Sequence, residues 1–118
     1  AGPAADGAYF PNNMTFDDPS TQWFFESYEE KWGEEPRLHS FSGYDDMGFL
    51  LEAIERAGST DPEAVRDAME ATRKFEGIIG TINIDPATHR PVDLPMAILR
   101  FDGDQIETVE YKYVPQSP

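Results

Sequence analysis

Between Asp18 and Thr72 the chain carries three sets of helix start and stop signals in succession, and strand-forming residues lie only to either side of them. That order predicts a mixed α/β fold with its helices in the middle of the chain. In "DDPSTQWFFESYEEKWG" Asp18 is placed to cap, Pro19 fits the first turn and Gly33 supplies a left-handed stop. Phe24, Tyr28 and Trp32 recur every four residues with Phe25 beside them, a stripe suited to core packing. In "SGYDDMGFLLEAIERAGS" Ser42 reads as the cap, Asp45 as the acidic partner of a capping box, and Gly58 as the stop. Tyr44, Met47, Leu50, Leu51 and Ile54 share one face of that helix. In "TDPEAVRDAMEAT" Asp61 caps, Pro62 takes the first position, and Val65, Ala68, Met69 and Thr72 align.

The flanks read differently. Residues 1–8 are small and flexible, and "AYFPNN" predicts a short strand ended by Pro11 and two asparagines. "FEGIIGTINID" predicts one strand entered through a flexible joint at Gly77 and Gly80. "LPMAILRFDGDQIETVEYKYV" predicts a hairpin around Asp102-Gly103, with Val109, Tyr111 and Tyr113 alternating as a half-buried strand. Three helices and so few strands cannot cover both faces of a parallel sheet. The 118 residues therefore read as part of a larger unit.

Composition narrows the partners. At 39% hydrophobic residues the chain is globular in character, and 23 acids against 9 bases leave a net charge of −14. Such a charge repels phosphate, which argues against nucleic acid and anionic membrane surfaces. The absence of cysteine removes disulfides, thiolate metal sites and a cysteine nucleophile. No stretch approaches the length of a membrane span.

No catalytic constellation is present. The sequence has no phosphate-binding glycine loop, no nucleophile elbow, no HExxH and no cofactor motif. His39 and His89 stand alone, and the acidic pairs Asp17-Asp18 and Asp45-Asp46 point apart on any helix, so no metal site is expected. One feature invites a ligand. A helix N-terminus at Ser42 would present free N–H groups to a carboxylate, flanked by Phe41 and Tyr44, with Asp45 available for an amine. The plainer alternative is that Asp45 completes the cap and Tyr44 packs; on chemistry alone it is the stronger of the two.

The run "GYDDMGFLLEAIERAGSTDPEAVRDAMEATRKFEGIIGTINID" resembles the C-terminal portion of the periplasmic solute-binding proteins of the leucine/isoleucine/valine-binding type. The shared pieces are Tyr44-Asp45, Ala57-Gly58-Ser59, Asp61-Pro62-Glu63, and Phe75 to Gly80 with Asp85; "ADGAYFPNN" and "ILRFDGDQIETV" resemble the family too. The resemblance implies a fragment of a two-lobed type I periplasmic-binding-protein fold: three helices plus a C-terminal strand and hairpin. Residues 15–74 would be a helical part of the N-terminal lobe, and 1–14 and 75–118 would form hinge crossings and strands of the C-terminal lobe.

The same resemblance implies the function: an extracytoplasmic component, periplasmic or extracellular, that hands a small solute to an ABC permease and catalyses nothing. The expected ligand-binding residues are Pro3, Ala4, Phe41, Ser42, Tyr44 and Asp45, and the expected hinge is Gly77 and Gly80. Amino-acid binders of the family carry a glutamate in the loop matched by "AGPAADG", where this chain has Pro3. Amino acids, amides and aromatic acids therefore all stay open. A sensor of the same fold and a free-standing interaction domain are the alternatives. A fragment of this kind is expected to dimerise, swap segments or aggregate through uncovered apolar surface.

Overall fold

The computed structural model describes residues 2–103 and 105–113, the last three by backbone alone. Two compact units emerge. One runs up to Glu35 and resumes at Pro95; the other is the continuous stretch Pro36–Leu94. The division places the first helix with the terminal strands, and residues 75–94 with the other two helices.

The first unit is built on an antiparallel sheet of β1 (Tyr9–Asn12), β5 (Pro95–Asp102) and β6 (Gln105–Tyr113), with β5 in the middle. Pro11 lies within β1 rather than ending it, opposite Ile98, and an edge strand tolerates a proline because its outer side needs no N–H. Ala97 and Leu99 on the inner face of β5 are fully buried, and Phe10 stacks on Phe101 with centroids 4.8 Å apart. Between Ile98 and Leu99 the register slips, so Val109 opposes no residue. That bulge breaks the expected alternation and leaves Val109 exposed. The side chains of Tyr111 and Tyr113 lie outside the described residues.

Ahead of helix α1 (Gln22–Trp32), residues Pro19–Thr21 form a short 3₁₀ turn. Asp18 accepts the Ser20 N–H at 2.8 Å, and Gly33 closes the helix at φ 72° with its N–H on the Glu29 carbonyl. Phe24 is buried, and the rings of Tyr28 and Trp32 follow it outward until Trp32 is exposed.

The second unit packs α2 (Leu38–Ala57) and α3 (Pro62–Glu70) with a sheet of β2 (Phe75–Glu76), β3 (Thr81–Asp85) and β4 (Arg90–Val92). Helix α2 begins at Leu38, four residues before the expected cap, because Ser40 supplies the cap instead: its hydroxyl accepts the Arg37 N–H at 3.2 Å. Ser42 is thus inside the helix, with its hydroxyl turned back to the Leu38 carbonyl. Helix α3 starts as read, with Asp61 accepting the Ala64 N–H at 3.2 Å.

The stretch 75–85 is a hairpin and not one strand. The Gly77 N–H reaches the Gly80 carbonyl at 3.0 Å, and Gly80 takes φ 142°, a value that favours glycine. A second turn, in which Asp85 accepts from Ala87 N–H and the Thr88 hydroxyl, returns the chain to β4.

The core of this unit lies beneath one side of α2. Phe41 and Ala53 are fully buried, and Phe49 meets Phe75 edge to face at 5.5 Å. The other side of α2 is apolar as well. Leu50 and Ile54 turn toward α3, but Tyr44, Met47 and Leu51 are 53%, 55% and 57% exposed, so the face expected to be core is only partly covered.

Candidate functional site

The centre of the candidate region is Asp45, which is only 2% exposed. A start at Leu38 makes it the eighth residue of α2, past the first turn where helix N–H groups lack intrahelical partners. The expectation that Asp45 caps its own helix is therefore corrected: its carboxylate caps a different segment. Oδ1 accepts the Ile78 N–H at 2.8 Å and Oδ2 accepts the Ile79 N–H at 2.9 Å. Two successive backbone N–H groups aimed at one anion form a nest, and each bond is charge-assisted.

Gly77 is part of the same arrangement. A Cβ at that position would fall 2.5 Å from Oδ2 and 2.7 Å from Cγ of Asp45. The residue is glycine because the carboxylate occupies the space that a side chain would need. Its φ is not in the left-handed region, so close approach, rather than an unusual backbone angle, is what demands it. Gly77 and Gly80, the expected hinge, both lie inside the second unit.

The remaining nominated residues divide by exposure. Phe41 is fully buried one turn before Asp45 on the same side of α2, and Ser42 is half-buried. Tyr44 faces outward at the edge of that group. Pro3 and Ala4 sit in a 3₁₀ turn, Gly2–Ala5, in the first unit. Pro3 lines a concavity of about 530 Å³ with Ala5, Asp6, Phe101 and Ile106. Its wall is held by Asp6, which accepts the Gly103 N–H at 2.9 Å, and by paired hydrogen bonds between residues 7–8 and Phe101.

A second concavity, about 470 Å³, lies within the second unit between α2, α3 and β3. Its floor is apolar, with Leu50, Ile54, Val65 and Ile84, and its rim carries Glu70 and His89. The imidazole Nδ1 of His89 lies 2.9 Å from Glu70 Oε1. Sequence reasoning passed over this pair because its members are far apart in the chain and neither sits in a motif. Among the described residues no group of three His, Asp or Glu side chains converges as a metal site, and no helix is long and apolar enough to cross a membrane.

Comparison with known proteins places the chain in a family. A family profile described as "Periplasmic binding protein" matches residues 1–105. The chain belongs to the periplasmic binding protein family.

Among curated periplasmic relatives, a Leu/Ile/Val-binding protein homolog 7 from Brucella suis is 36% identical over 67 residues, covering 56% of this chain and 16% of its own. Among solved structures, the leucine binding protein LivK of Thermotoga maritima aligns with a TM-score of 0.78 at 32% identity, over 93% of this chain and 32% of that protein. A solute binding protein of an ABC transporter from Rhodopseudomonas palustris BisB5, in complex with 3,4-dihydroxybenzoic acid, aligns with a TM-score of 0.78 at 23% identity, over 99% of this chain and 34% of its own. The chain thus spans about a third of the length of the solved periplasmic binding proteins it matches. Its fold is part of the type I architecture, and the family and its named relatives are binding proteins rather than enzymes.

Proposed function

We propose that this chain is a portion of an extracytoplasmic solute-binding protein that serves an ABC importer. The observation that carries this reading is the family match over residues 1–105. Solute binds the open form and favours closure, because only the closed form touches it from both sides.

The residue of the second unit proposed to meet solute is Tyr44. Tyr44 is the outward-facing aromatic of its group, while Phe41 and Asp45 are buried behind it and Ser42 is half-buried. Pro3 offers no carboxylate for an α-amino group, so the proposed solutes extend beyond amino acids to amides and aromatic acids. The named relatives support that range, one by the word leucine and one by its bound dihydroxybenzoate.

Thermal-shift screening against leucine, asparagine, benzoate and 3,4-dihydroxybenzoate tests the reading. A true solute raises the midpoint in proportion to the logarithm of its excess over Kd. A flat response to all four, at millimolar concentration, would remove the proposal.

A further inference from the structure

We propose that Asp45 is a positioning residue: it locks α2 to the β2–β3 turn and so fixes the aim of Tyr44, instead of meeting solute itself. The part concerning Tyr44 rests on the solute-binding reading above; the lock itself does not.

The first argument is burial. Each carboxylate oxygen of Asp45 already accepts a backbone N–H, from Ile78 at 2.8 Å and Ile79 at 2.9 Å, and the residue is 2% exposed. A solute amine would have to give up its hydration and enter a space closed to solvent. The second argument is Gly77. The absent Cβ lets the carboxylate lie against the backbone, which makes the fit specific to this acid at this glycine.

The third argument concerns what the lock connects. The hairpin has only two residue pairs between β2 and β3, so its turn gains little order from its own ladder. A buried anion bonded to two consecutive amides supplies the missing order, and it does so from the residue next to Tyr44. In this arrangement Gly77 does not act as a joint. The turn and α2 move as one body, and a displaced turn would rotate the part of α2 that carries the tyrosine.

The test is a double-substitution cycle in the protein, read by amide exchange and by calorimetric titration with leucine and with 3,4-dihydroxybenzoate. Asp45→Ala is expected to speed exchange at Ile78 and Ile79 by at least about tenfold. Tyr44→Ala is expected to weaken the bound probe by roughly tenfold. Asp45→Ala should weaken it by less, and by nothing further when Tyr44 is already alanine, because its effect passes through the lost ring.

Additive affinity losses would place Asp45 in direct contact with solute and overturn the proposal. Unchanged exchange at Ile78 and Ile79 would overturn it too. Should Asp45→Ala fail to fold, Gly77→Ala puts a methyl against the carboxylate and is expected to speed the same two amides; slow exchange there would be equally fatal. If the parent protein binds neither probe, the aiming of Tyr44 falls with the solute-binding reading, and the exchange measurements still decide the lock.

Discussion

Arg56 of α2 reaches Thr72, beyond the end of α3, with its Nη2 donating to the Thr72 hydroxyl at 2.5 Å and to the Ala68 carbonyl at 2.7 Å. Thr72 is almost fully buried and donates in turn to Ala68. The contact ties the C-terminal ends of both helices together at a point where carbonyls lack intrahelical partners. Thr72→Val keeps the shape and removes both bonds. It is expected to cost about 1–3 kcal/mol in urea unfolding with an unchanged slope, because Arg56 keeps its bond to Ala68.

Phe41 is the largest fully buried side chain of the second unit. Phe41→Ala is expected to lose about 3–5 kcal/mol, since the helix and sheet around it are held by backbone bonds and cannot collapse into the gap. Phe41→Leu should cost clearly less. Chemical denaturation of both variants, followed by circular dichroism, makes the comparison.

The outward stripe of Tyr44, Met47 and Leu51 lies at spacings of three and four residues, which places it on one line along α2. Isolated, the chain is expected to self-associate through it. Met47→Lys with Leu51→Lys should shift sedimentation toward monomer at the same concentration, with the midpoint of unfolding changed by little, because neither side chain is buried. A wild-type chain that sediments as a monomer at high concentration would contradict this expectation.

Two carboxylates are held in the ionised form by local hydrogen bonds. The Ser20 hydroxyl and N–H hold Asp18 below its ordinary range, and the Thr88 hydroxyl, then the Ala87 N–H, do the same for Asp85. A folded-state pKa below the unfolded value, near 3.9, gives stability that is complete above that value. It is lost as pH falls through the lower, folded value. Asp18→Asn and Asp85→Asn should therefore be less stable than the parent at neutral pH, with the gap closing as the solution is acidified below about pH 4. Melting temperatures across that interval provide the check.

How much of this was legible in the sequence follows from how local each signal is. Asp18, Gly33, Asp61 and Pro62 act on residues within four positions, and they placed α1 and α3 well. Asp102-Gly103 did the same for the β5–β6 hairpin. The start of α2 was misread because Ser42 is an equally plausible cap on sequence alone, and only the Ser40 hydroxyl bond to Arg37 shows which serine serves. Strand β4 was missed because Pro91 weakens any strand signal, although opposite Ile84 on an outer strand it does no harm. At the candidate site the sequence pointed to Asp45 as a special acid. What it serves lies 33 and 34 residues further on, and no local pattern carries that distance. Gly77 held the only clue, a glycine with nothing in its neighbourhood to explain it.

The pairing of Tyr9 with Arg100 has a consequence for how the chain is made. A ribosome delivers β1 before its partner strand, which emerges only after the entire Pro36–Leu94 stretch has been synthesised. That stretch is continuous and its contacts are shorter in range, so it is free to condense first and shorten the loop that β1 must later close. Strand β1 waits for β5 in the meantime, and anything that slows the inner stretch prolongs the interval in which that strand is open to the wrong partner.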